Sequence, residues 1–127
     1  MTAREERIDM TSAEKDAAQA MRQRLQTDLR VAMKKQEASE VAILRMLIAA
    51  IDNAGAVPLS PELREPHEVE RRRLSVGDVQ ELLWREHESR RSAVGEYARL
   101  GKGGQSARAS YEMAVIRRYL DAGAAGI

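Results

Sequence analysis

Cysteine is absent from the 127 residues, and so is phenylalanine. The first absence excludes a disulfide framework, a thiolate metal site and a thiol nucleophile. The second, with aromatics at only 3%, leaves Leu, Ile, Val, Met and Ala to fill a core, which suits helices that approach closely. No apolar run is long enough to span a bilayer, because the longest is broken by Arg45. The start, MTAREERIDMTSAEKD, is charged where a signal peptide would be apolar. Charge of one sign is also missing. Charged residues make up 32% of the chain, yet the net charge is only +1, so partner choice by charge must be local. These absences imply a soluble, intracellular, cytoplasmic protein with no membrane partner. The length fits one domain, residues 1–127, around one core.

What is present is helical periodicity. The stretch VAILRMLIAAID, Val41 to Asp52, is apolar at every position but Arg45 until it closes on Asp52. A helix apolar on every side must be surrounded by others, so this stretch is expected at the centre of a bundle. Ser39 is its candidate N-cap and Gly55 its candidate left-handed stop. Before it, Thr11 and Glu14 form a possible capping box. Ala18, Met21, Leu25, Leu29 and Ala32 then recur at steps of three and four, predicting a helix to about Lys35. Residues 1–11 are expected as a flexible tail. Residues 55–74, with Pro58, Pro61 and Pro66, are expected as an exposed loop. Ser75 and Asp78 open a third helix, whose core stripe is Val79, Leu83, His87, Arg90, Val94 and Tyr97. Gly101 to Gly104 end it. A fourth helix is expected from about Gln105 to Leu120, with Ala107, Tyr111, Ala114 and Arg118 on one face and Met113, Ile116 and Leu120 on an adjacent one. Residues 121–127 should be loose. The fold class is all-α, a small bundle of four main helices whose core pair is the central and third helices.

Two constellations suggest function. Basic residues cluster at Arg22, Arg24, Arg30, Lys34 and Lys35 against one acid, Asp28, and again at Arg71 to Arg73 and at Arg90, Arg91 and Lys102. The first cluster reads either as a solvated face with Lys34 and Lys35 at the negative end of its helix, or as a patch touching RNA phosphate. The candidate nucleic-acid contacts are Arg22, Arg30, Lys34, Lys35, Arg90, Arg91 and Lys102. With few aromatics to stack bases and a pI near 8.1, such contact would be to shape and phosphate. The second constellation is Arg45, Glu86 and Arg90. Either Arg45 lays its stem over apolar surface and pairs at the rim, or the three form a partly buried network that fixes helix register. The network reading predicts that Arg45→Ala destabilises far more than Arg24→Ala.

Chemistry of other kinds finds little support. His67 with Glu68 and His87 with Glu88 invite a metal reading, yet His87 to Arg91 reads HESRR and lacks the second His of a zincin helix. His87 is expected as a packing residue. GKGG at Gly101 to Gly104 is too short for a phosphate loop. No catalytic residue, cofactor site or metal site is assigned.

LQTDLRVAMKKQ, ILRMLIAAIDNA, LSVGDVQELLWREHESRRSAVGEYARLGK and ASYEMAVIRRYL, in that order and spacing, resemble the helical N-terminal part of YqeY-like proteins. The same domain forms the tail of the GatB subunit of the tRNA-dependent amidotransferase. Residues from about Leu25 to Leu120 are covered, and Arg45, Arg90, Arg91, Tyr97, Gly101 and Lys102 fall in the most specific parts. Family members carry a Pro after the Tyr-Leu pair and then a small helical subdomain. Here Asp121 follows Leu120, His87 and Ser92 replace commonly apolar and acidic residues, and the Pro-containing loop is longer. The resemblance implies a non-catalytic helical module that recognises tRNA or a tRNA-handling, amidotransferase-related complex. A protein-interaction or homo-oligomerising module is the alternative, with a partner burying apolar surface that the further subdomain would cover. Carbon–nitrogen ligase activity with glutamine as amido donor ranks third.

Overall fold

A computed structural model describes residues 17–56 and 73–125, the side chains of 121–125 excepted. The expectations for the tail 1–11, the Thr11 and Glu14 box, the Pro-containing stretch, His67 and Arg71 and Arg72 lie outside those residues. Four helices make up the fold: α1 (Ala17–Lys34), α2 (Ala38–Gly55), α3 (Val76–Arg99) and α4 (Gly103–Ala125). No strand occurs among the described residues. Leu25 and Ala32 are buried on α1, with Ala18, Met21 and Leu29 packed beside them, as the spacing predicts.

α1 packs chiefly on α2, and α3 on α4. The expected core pair of central and third helices is thus corrected to two helical hairpins laid together. Their common core joins Leu25, Ile43, Leu44, Leu47, Ile51, Leu83, Val115, Ile116 and Tyr119. Leu74, expected in the exposed loop, is buried there too. Ser75 then starts α3 with a complete capping box. Its hydroxyl accepts from Asp78 N at 3.1 Å, and its own N–H donates to Asp78 Oδ2 at 3.0 Å. Two orphan donors of the first turn are thereby satisfied.

Several local expectations are corrected. α2 is not enclosed on every side, because Ala42, Arg45 and Ala49 form an exposed stripe. Alanine counts as apolar in a sequence pattern, but it loses little by facing water. Ser39 lies inside α2 instead of capping it, and Gly55 is a buried helical residue instead of a left-handed stop. On α4 the face of Ala107, Tyr111, Ala114 and Arg118 points outward, while Ala109, Val115, Ile116 and Tyr119 are buried. α4 also continues past Leu120 to Ala125, where loose chain was expected.

The two turns close identically. In the first, Gln36 N–H donates to Met33 O and Glu37 N–H to Ala32 O. In the second, Gly101 N–H donates to Ala98 O and Lys102 N–H to Tyr97 O. This is the Schellman pattern, which needs a left-handed residue after the helix. Gly101 supplies it at φ 71°, and Gln36 does so at φ 57° despite its side chain.

Candidate nucleic-acid interface

The two turns lie at the same end of the bundle. α1 and α2 are antiparallel, as the pair between Arg22 Nε and Asp52 Oδ1 at 2.8 Å records. α3 and α4 are antiparallel too, tied by Ser106 Oγ donating to Val94 O at 2.9 Å. Between the hairpins, Tyr119 donates to Asp28 and Arg118 Nη2 lies 3.0 Å from Glu40 Oε1. Glu37, Ala38, Ser39 and Glu40 share a groove with Arg108 and Tyr111. The first turn therefore sits beside the early part of α4. The second turn reaches roughly 10 Å further, given a rise of about 1.5 Å per residue.

This topology gathers cations far apart in sequence. Arg30 and Lys34 are exposed on the last turns of α1, Lys35 is exposed in the first turn just after it, and Lys102 is exposed in the second turn. None of the four makes an ion pair among the described residues. Arg99 and Arg108, at the same end, are bound to Glu96 and Glu112. The remaining candidates are placed differently. Arg22 is held by Asp52 near the opposite end of α1. Arg91 is exposed, with Glu88 at 3.5 Å. Arg90 lies between Glu86 and Glu112, its Nε 3.3 Å from Glu112 Oε1.

That last arrangement corrects the proposed network. Glu86 and Arg90 are paired, but the third member is Glu112 of α4, not Arg45. Arg45 is exposed on α2 and makes no ion pair with either. The physical reason is the pairing of helices: α3 presents its Arg90 stripe to α4, while Arg45 sits on the outer side of α2. Pairing between α3 and α4 carries no short-range sequence signal, so Glu112 was not legible as a partner.

Two further clusters went unread. Tyr119 is buried, donates to Asp28 Oδ2 at 2.5 Å, and has the Arg24 guanidinium 4.9 Å from its ring centroid. Burial, and then the hydrogen bond to Asp28, raise its hydroxyl well above the usual tyrosine range. His87 is buried as expected, stacked on Trp84 with centroids 5.3 Å apart, its Nδ1 3.1 Å from Glu88. Its Nε2 is buried and has no hydrogen-bond partner among the described residues. No group of three acidic or histidine side chains placed to hold a metal occurs among the described residues. No helix among them is long and apolar enough to cross a membrane.

At the first turn, hydrogen bonding with Glu40 raises the Glu37 carboxyl. Glu40 is lowered by the same bond and by Arg118.

Comparison with known families places most of this chain. The family model described as Yqey-like protein matches residues 22–123. Neither the curated proteins nor the solved structures yield a match.

Proposed function

The chain belongs to the YqeY-like family, and on that footing we propose that it is a non-catalytic helical module that engages tRNA, or a tRNA-handling complex, through the basic end of the bundle. One observation carries the reading: two hairpins with the same turn chemistry bring Arg30, Lys34, Lys35 and Lys102 to one end, none of them in an ion pair among the described residues. An unpaired surface cation is free to replace a counterion on a phosphate, whereas one held by a carboxylate must first be released. This reading drops Arg22 and Arg90 as phosphate contacts, because carboxylates already hold them.

The test is binding to total tRNA over a salt series, with wild type and a variant carrying Gln at Arg30, Lys34, Lys35 and Lys102. Each lost phosphate contact should flatten the log–log salt slope by about 0.7–0.9. Arg22→Gln should leave the slope unchanged. Absence of binding at low salt, or a slope unaffected by the four substitutions, would refute the reading.

A second reading, a protein-interaction module, is favoured by Val76 and Trp84, which are 50% and 49% exposed two turns apart on α3. Concentration-dependent association that is lost in Trp84→Gln would support it.

A further inference from the structure

α3 carries a second surface, centred roughly 20 Å along its axis from the second turn, at about 1.5 Å per residue. Gly77, Gln80, Trp84, Glu88, Arg91 and Gly95 recur at steps of three and four, so they share one stripe. Trp84 stands in its middle, 49% exposed, and Val76 beside its start is 50% exposed. The indole is held from behind. Glu88 meets His87 Nδ1 at 3.1 Å, and the buried imidazole stacks on the indole with 13° between the planes. A half-exposed tryptophan already fixed in this way loses little freedom when a partner covers it, and so serves as a binding anchor.

Charge and symmetry identify the partner. From Val76 to Leu83, α3 carries Asp78 and Glu81 and no cation, whereas from Arg85 to Arg99 it carries four arginines against three glutamates. A second α3 lying antiparallel sets each acidic part against a basic part, and a parallel one sets like against like. In an antiparallel pair centred on Trp84, positions equally far before and after the tryptophan meet. The two indoles then face each other. Gly77 and Arg91, each seven residues from Trp84, also come together. A methyl group at Gly77 would meet only Ser75 Oγ, at 3.7 Å, so the space above it is open. The Arg91 side chain is 70% exposed, and its stem can cross Gly77 to cover Val76.

We propose that a second copy of this chain covers this face, with the two α3 helices antiparallel and Trp84 of each at the two-fold axis. The proposal rests on the interaction reading above and names its partner. One stripe of one helix buries less than the about 1,200 Å² of a standard interface. The dimer is therefore weak, half-formed on the order of 100 μM.

Trp84 is the only tryptophan and cysteine is absent, so tryptophan emission and single introduced cysteines both report on this face. Sedimentation equilibrium from about 5 μM to about 1 mM should show the mass doubling, with emission moving to the blue over the same concentrations. Trp84→Gln, its folding checked by circular dichroism, should raise the dissociation constant by about 30-fold, the loss expected of an aromatic anchor. Arg91→Glu sets acid against acid without touching the indole, and should raise it about tenfold. Orientation is read with Gly77→Cys, Arg91→Cys and a short bismaleimide. The two variants should cross-link when mixed and far less when either is alone, because like positions lie about 20 Å apart in the antiparallel pair. Cross-linking of each variant with itself, in preference to the mixture, overturns the antiparallel pairing and leaves the interaction reading standing. A chain that stays monomeric to about 1 mM overturns the second copy and leaves the face to a different protein. Association that persists in Trp84→Gln, with no shift in wild-type emission, overturns the face and the interaction reading with it.

Discussion

Replacing Arg90 with alanine tests the link between the two helices of the second hairpin. Arg90 is 18% exposed, and its partners Glu112 and Glu86 are 20% and 30% exposed. Truncation removes two charge-assisted hydrogen bonds and leaves two carboxylates close together. Breaking a fully buried pair costs about 3–5 kcal/mol, and an exposed pair contributes about 0–1 kcal/mol. Water reaches these carboxylates in part, and Arg108 still lies near Glu112. The expected loss is therefore about 2 kcal/mol, between those limits. For a chain of this length that lowers the melting temperature by about 8 °C. Arg45→Ala should shift it by no more than about 1 °C, because Arg45 is exposed and alanine is the better helix former. Arg24→Ala should cost about 0.5–1 kcal/mol by losing its place over the Tyr119 ring. This order reverses the one that the sequence suggests. Calorimetric melts of the single variants and of Arg90→Ala with Glu112→Ala measure it, and the double variant should cost less than the sum of the singles. An Arg90→Ala melt within about 1 °C of wild type, or an equal loss in Arg45→Ala, would refute the assignment.

Tyr119→Phe should destabilise by about 1–2 kcal/mol, since Asp28 loses its donor. Its pH dependence has a definite sign: a hydroxyl raised in the folded state contributes stability that is intact below about pH 10, the unfolded value, and is lost as pH rises beyond it. Denaturant melts above pH 10 should therefore fall more steeply for wild type than for Tyr119→Phe, and parallel curves would count against the assignment. Ser75→Ala should cost about 1 kcal/mol through loss of the capping box, read as an earlier urea midpoint at unchanged slope. Gly95→Ala and Gly101→Ala should differ in sign. The added methyl at Gly95 meets nothing within 4 Å on an exposed helical site, so it should stabilise by about 0.5–1 kcal/mol. At Gly101, with φ at +71°, it should destabilise by about 1 kcal/mol, and matched melts of the two variants decide the point.

The fold was legible where one helix carries the whole signal. The α1 stripe, the α3 start at Ser75 and Asp78, and the Glu86 and Arg90 spacing all depend on residues within a few turns. What the pattern could not supply is which helix faces which. Glu112 lies 22 residues from Arg90, and Asp28 lies 91 residues from Tyr119, so neither pairing leaves a local trace. Arg45 was misplaced for a different reason: its neighbours Ala42 and Ala49 read as apolar but are indifferent to water. The candidate cations could be listed from sequence only as basic residues. Sequence could not separate Arg30, Lys34, Lys35 and Lys102 from Arg22 and Arg90, because that depends on where Asp52 and Glu112 fall. Gln36 gave no warning either, since its left-handed backbone copies a position that Gly101 fills in the second turn.

The pairing of α1 with α2 and of α3 with α4 also has a kinetic consequence. Most of the packing joins segments close in sequence, so little chain entropy is spent before contacts form. A topology of that kind folds in microseconds to milliseconds. Each hairpin, closed by its own tight turn, is then the natural unit of cooperative opening. Amide protons of α1 should become exchangeable together with those of α2, and those of α3 with those of α4. The contacts between the hairpins, Tyr119 with Asp28 and Arg118 with Glu40, set how far apart the two opening free energies lie.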